Sequence, residues 1–157
     1  MKPILTAILC ATLSSGAAFA SEVPDAPTLW QTDPAMVFDA TEIDLADFLW
    51  TARPIVVFAD TPNDPRFKTQ FELLQRRLPE LIERDVVLVT DTDPKGASEL
   101  RTKLRPRGFM VVLIGKDGGV KLRKPFPWDV REFSRSIDKM PMRQQELRDL
   151  LRGGPLE

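Results

Sequence analysis

The side chains that supply most general bases, thiol nucleophiles and transition-metal ligands are almost missing from this chain. Its 157 residues include no histidine and one cysteine, Cys10. No Ser-His-Asp, Cys-His or His-rich ligand set can be assembled from them. What remains are acids. Asp60, Thr61, Asn63 and Asp64 fall in one short stretch, and Thr90, Asp91, Thr92 and Asp93 in another. Hard cations such as Ca²⁺ need several oxygen ligands of this kind, and paired carboxylates can also serve a hydrolytic site. Asp64 and Asp93 each precede a proline, an N-cap and N1 pair that opens a helix. Asp60 and Asp91 are therefore the candidate cation ligands, with turn-and-cap chemistry the alternative for the whole group. Thr61, Asn63 and Arg107 complete a candidate ligand edge. These motifs assign no catalytic residue and no cofactor.

Other strings carry less chemistry. Gly115-Lys116-Asp117-Gly118-Gly119 contains Gly-Lys. It lacks the earlier glycine, the Ser or Thr after lysine and the following helix of a phosphate-binding loop, and reads as a hairpin turn. Lys121, Arg123 and Lys124, with Arg105 and Arg107, form either a basic patch for an anionic partner such as a polysaccharide or scattered surface charge. Met140 and Met142 flank Pro141, which suggests either an exposed, sticky side chain or core filling.

Positioning these residues requires an alternating fold. Pro54 to Ala59 is a continuous apolar run of strand length, expected to be central and covered on both faces. After Asp64-Pro65, Phe67, Phe71, Leu74 and Leu78 recur at helical spacing, with Glu72 and Arg76 paired on the wet face and Pro79 ending or kinking the helix. Asp85 to Thr90 is a second buried strand. Asp93-Pro94 then opens a short helix with Ala97, Leu100 and Leu104 inward. Phe109 to Ile114 is a third strand, and Val120 to Arg123 alternates as a fourth at an edge. Asp129 and Glu132 form a capping box for a helix with Val130, Phe133, Ile137 and Met140 on its apolar stripe. Leu147, Leu150 and Leu151 suggest a short C-terminal helix. Before this core, Thr41 to Asp44 resembles a helix start ahead of Leu45, Phe48 and Leu49. Residues 21–40, with Pro24, Pro27 and Pro34, read as an extended lead-in.

The order β-α-β-α-β-β-α, with a parallel first strand pair and an antiparallel hairpin, is the topology of the thioredoxin fold. The expected class is therefore α/β: a three-layer sandwich around a mixed four-stranded sheet, with an added C-terminal helix. The expected boundaries are 41–152 for the domain and 153–157 for a tail. Met1 to Ala20 carries Lys2, an apolar run from Ile4 to Leu13 and the string Ala18-Phe19-Ala20, the three regions of an export signal cleaved after Ala20. That run is shorter than the roughly 20 apolar residues a membrane span needs. The mature chain is then expected in the periplasm or outside the cell, with no cysteine and no membrane span. Its formal net charge of −1, or −2 without Lys2, provides no general attraction to nucleic acid or anionic lipid.

Two segments carry a sharper resemblance. Leu113-Ile114-Gly115-Lys116-Asp117-Gly118-Gly119-Val120-Lys121-Leu122-Arg123 and Ile137-Asp138-Lys139-Met140-Pro141-Met142-Arg143 resemble the signature stretches of domain of unknown function 4174, as do Arg84-Asp85 and Trp50 with Arg53. The resemblance implies a thioredoxin-like fold of exported bacterial proteins, recurring in vertebrate extracellular-matrix and sushi-repeat proteins, and it brings no catalytic residues. Arg107-Gly108-Phe109 is similar to the lead into the equivalent peroxiredoxin strand. In peroxiredoxins and thioredoxins the reactive cysteine lies at the end of the first strand or the start of its helix, where this chain has Asp60-Thr61-Pro62-Asn63-Asp64-Pro65. Asp91-Thr92-Asp93 is similar to the D-x-D of haloacid-dehalogenase phosphatases, but Lys95 breaks the pattern. The expected function is a non-catalytic binding or scaffold module for a protein or polysaccharide. The alternative is a carboxylate-based cation-binding or hydrolytic site at Asp60 and Asp91.

Overall fold

The computed structural model describes residues 24–153, so the expected export signal, its Cys10 and residues 154–157 lie outside it. Five strands form one mixed sheet: β1 (Val37–Asp39), β2 (Arg53–Phe58), β3 (Val86–Asp91), β4 (Met110–Ile114) and β5 (Val120–Lys124), in the order β1-β3-β2-β4-β5. β1 and β2 both run parallel to β3, while β4 lies antiparallel to β2 and to β5. The central strand β2 is buried at every position, as its unbroken apolar run requires. The edge strand β5 is largely exposed.

Alternation along the strands divides the core between two faces. Ile55, Val57, Val111 and Leu113 pack with Leu74, Phe133 and Ile137, under helices α2 (Pro65–Arg76), α3 (Leu78–Ile82) and α5 (Val130–Asp138). Val56, Phe58, Val112 and Ile114 pack on the other side with Leu100 and Leu104 of helix α4 (Glu99–Leu104). Asp64, Ser98 and Asp129 each cap a helix with the side chain, and Pro65 and Pro79 stand in the first turns of α2 and α3. Gln70, fully buried, donates its amide to the Trp128 carbonyl at 3.0 Å and accepts the Trp128 N–H at 2.6 Å. This two-way bond fastens α2 to the segment ahead of α5.

The structure corrects the sequence reading in several places. Residues 21–40 contain a helix, α1 (Ala26–Thr32), and the fifth strand, β1. Trp30 and Phe38 from this segment join Phe48, Ala52 and Val87 in a third apolar cluster. Three residues of strand are too few to show a period, and β1 exists because β3 offers its free edge. Thr41 caps nothing; Asp44 opens a single 3-10 turn, Leu45–Phe48, in which Phe48 alone is buried. Asp93 caps another 3-10 turn, Pro94–Gly96, while Ala97 is exposed in a left-handed conformation and Ser98 opens α4. Glu132 pairs with Arg135 instead of closing a capping box. The C-terminal helix α6 (Pro141–Arg152) spans 12 residues, and its Leu150 and Leu151 face solvent.

Phe38 tests whether the lead-in belongs to the core. It is 5 % exposed and meets Phe48 edge-on at 5.9 Å. Phe38→Ala should lower unfolding free energy by about 3 kcal/mol in a denaturant melt, as for other buried aromatic truncations. A loss below about 0.5 kcal/mol, the range of surface substitutions, would contradict this packing.

Candidate functional site

The loops after β2 and β3 do lie side by side, since Ala59 N–H donates to the Asp91 carbonyl at 2.9 Å. Their acids are engaged differently. Asp91 is 4 % exposed. It accepts the Ser98 hydroxyl at 2.5 Å and Arg101 Nε at 2.7 Å. Arg101 also donates to the Ala59 carbonyl at 2.6 Å and sits over the Phe58 ring. Asp91 thus ties α4 to the ends of both parallel strands, and its oxygens are occupied by donors from the protein. Arg101, the key to this arrangement, is absent from the sequence reading because one arginine on a short helix gives no local sign of where it reaches.

Asp64 accepts the Arg66 N–H at 2.8 Å and its guanidinium at 2.9 Å. The Arg66 hydrogen bond holds the Asp64 carboxyl below the usual aspartate range. Thr61 and Asn63 are exposed and bonded to each other within the loop, Asn63 N–H to Thr61 Oγ1 at 3.3 Å. Asp60 is exposed beside Gly108. Among the described residues no three His, Cys, Asp or Glu side chains gather in a metal-holding group, Asp60 and Asp91 included.

Cations collect at this corner. Arg123 Nη1 donates to the Leu104 carbonyl, which brings β5 against the end of α4 and Arg105. Lys124 stands opposite Val111 and 4.8 Å over the Trp128 ring, on the α5 side of the sheet and so on the face away from Arg123 and α4. Among the described residues the ion pairs formed by Arg66, Arg101 and Lys121 have no counterpart for Arg105, Arg107, Arg123 or Lys124. Lys121 separates from this group: it lies near the other end of β5 and pairs with Asp117 at 2.6 Å.

The opposite end of the sheet holds a denser set of charges. Arg53, 1 % exposed, donates to the Arg84 carbonyl at 2.9 Å and to Glu146 at 2.7 Å. Lys116 bridges Asp85 at 2.8 Å and Glu146 at 2.9 Å. Arg143 binds the other Glu146 oxygen at 3.2 Å and the Glu83 carbonyl at 3.0 Å. Arg84 grips Asp138 through two bonds, at 2.9 and 2.8 Å. Beside the cluster a cavity of about 260 Å³ is lined by Met140, Pro141 and Met142, so both methionines border a cleft. Partial burial opposes the charge on Glu146, but hydrogen bonds from Arg53 and Lys116 outweigh it and hold its carboxyl at about 2.

Residues 44–146 match the family described as Domain of unknown function (DUF4174). The chain belongs to this family. The strings that resemble the family's signature stretches, separated in sequence, converge on the charge cluster, which includes Arg53, Arg84, Asp85, Lys116, Asp138 and Arg143. Among solved structures the chain is similar to reduced 2-Cys peroxiredoxin of Plasmodium vivax, with 14% identity, 66% of this chain and 85% of that one covered, and a TM-score of 0.54. It also matches thioredoxin peroxidase I of Plasmodium yoelii (19% identity, 66% and 81% covered, TM-score 0.46) and reduced desulfothioredoxin of Desulfovibrio vulgaris Hildenborough (23%, 68% and 98%, TM-score 0.46). These identities speak to the fold alone, which is thioredoxin-like. No curated protein matches the chain.

The charge cluster predicts a defined acid response. The carboxyl of Glu146 sits near 2 when folded against 4.5 unperturbed, so its stabilisation is complete above pH 4.5 and is lost as pH falls toward 2. Glu146→Gln should cost about 2–3 kcal/mol at pH 7, because Arg53 loses its closest charge partner inside the protein. In chemical denaturation from pH 6 to pH 2.5, the gap between parent and variant should narrow as pH falls. A gap independent of pH would show that the ionised carboxylate is not what stabilises.

Proposed function

We propose that this chain is an exported, non-catalytic thioredoxin-like module that binds an acidic polysaccharide of the cell envelope. The carrying observation is the basic corner, where Arg123 bonds the carbonyl of Leu104, next to Arg105 and close in sequence to Arg107, and none of the three has a carboxylate ion pair among the described residues. Three cations together on a chain of near-neutral net charge make a local positive field, suited to a polyanion and not to general attraction. The exposed Thr61 and Asn63 on the neighbouring loop supply hydroxyl and amide groups for a sugar chain.

The absence of catalysis rests on the loop after β2. Residues 60–65 contain no thiol, and Asp64 and Pro65 serve there as cap and first helical residue. Residues 24–153 hold no cysteine or histidine at all, so thiol peroxidase and disulfide exchange have no nucleophile once a leader ending at Ala20 is removed. Asp91, the inner member of the carboxylate alternative, is committed to Ser98 and Arg101. Export itself is supported by the pattern of the first 20 residues and is checked by N-terminal sequencing of the protein recovered from periplasm, with Ser21 as the expected first residue.

Binding is tested by titrating oligogalacturonate into the chain by calorimetry. Arg105 has a φ of +48°, so glycine suits its backbone, and the double variant Arg105→Gly, Arg107→Ala should fold normally. Its affinity should fall about tenfold or more, and the parent's affinity should weaken steadily as salt rises. Unchanged affinity in the double variant, or no binding by the parent, would refute the basic corner as the polysaccharide site.

A further inference from the structure

Trp50 stands where neither its backbone nor its surroundings favour tryptophan. Its φ is +63°, a left-handed conformation that a bulky side chain adopts only under constraint, and it is 67 % exposed. The conformation is imposed by its neighbours. Trp50 N–H donates to the Lys116 carbonyl at 2.7 Å. Leu49 Cδ2 lies 2.8 Å from where a Cβ on Gly118 would sit, so this glycine admits the leucine that braces the loop. An exposed indole is thereby held on a fixed support beside the β4–β5 turn.

From that turn β5 runs along the open edge of the sheet to the basic corner. Its five residues span roughly 17 Å at about 3.4 Å each. An edge strand presents unpaired backbone donors and acceptors, and Lys121 lies along this one, partly exposed. Lys121, Arg123 and Lys124 disfavour pairing with a second copy of the same strand, because like charges would face each other.

We infer that Trp50 is the stacking end of a saccharide track along β5. An acidic polysaccharide places its carboxylates on the basic corner and lays the C–H face of a pyranose ring on the Trp50 indole, whose negative face attracts polarised C–H groups. The inference rests on the polysaccharide reading of the corner and adds a second contact at the far end of the strand.

Two oligogalacturonates separate the contacts, one short enough to fill the corner only and one long enough to reach Trp50. Trp50→Gly fits the local φ, so it should melt at or above the parent's temperature. It should bind the long oligomer about fivefold to tenfold more weakly, the size of one aromatic contact, and the short one as the parent does. Trp50→Phe should recover most of the loss. Equal affinity of parent and Trp50→Gly for the long oligomer would overturn the track while leaving the corner standing. Binding of neither oligomer by the parent would overturn both. A Trp50-dependent protein partner in that case would assign the indole to a protein surface instead.

Discussion

The arrangement of this protein depends on burying the guanidinium of Arg53 at the head of the central strand. A charge at 1 % exposure is tolerable only where its donors are met and its charge is answered inside the protein. The Arg84 carbonyl meets one side, and Glu146, 93 residues away, meets the other. Glu146 in turn is held by Lys116 and Arg143. The C-terminal helix is therefore docked by charge more than by its leucines, two of which face solvent. Arg53, Arg84, Asp85, Lys116, Asp138 and Arg143, which lie in strings that resemble the family's signature stretches, belong to this dock and serve the architecture here.

The two ends of the sheet follow one electrostatic rule with different outcomes. At the Arg53 end, cations and acids answer each other at close range. At the far end, Asp91 does the same with Arg101 and Ser98, locking α4 onto the strand ends. Left without paired acids among the described residues are Arg105, Arg107 and Arg123 at that corner and Lys124 on the other face of the sheet, while Asp60 lies exposed beside Gly108. Paired charges hold the scaffold, and the unpaired ones carry the proposed polysaccharide contact. The loop after β2 is a capped turn without a thiol, in which Asp64 and Pro65 open α2.

Much of the fold was legible because its signals are local. Buried strands show as apolar runs at 54–59, 85–90 and 109–114, and the helix starts at Asp64 and Asp129 show as caps. The misses have physical causes. β1 is three residues long and is stabilised by pairing with β3, so no pattern within it could reveal it. Asp91 looked like a free acid because its partners, Ser98 and Arg101, reach it only after α4 folds back. Glu146 sits among Gln144, Gln145 and Arg148, a setting indistinguishable from a solvated helix face until Arg53 is placed beneath it.

The sequence by itself determined the layered α/β topology, the family, and the lack of thiol or imidazole chemistry in residues 24–153. Composition and short-range periodicity are enough for the topology and the missing side chains, which depend on which residues exist and how they repeat, while the family was legible from strings that resemble its signature stretches. Only the tertiary structure decided which charges are occupied and which are available. Ionic pairing acts over a few ångströms of space, and the chain brings residues 53 and 146, or 104 and 123, together only when the sheet has formed. For the same reason the left-handed, exposed Trp50 could not be read from its neighbours in sequence: the Lys116 carbonyl and Gly118 that hold it there arrive only after three intervening strands.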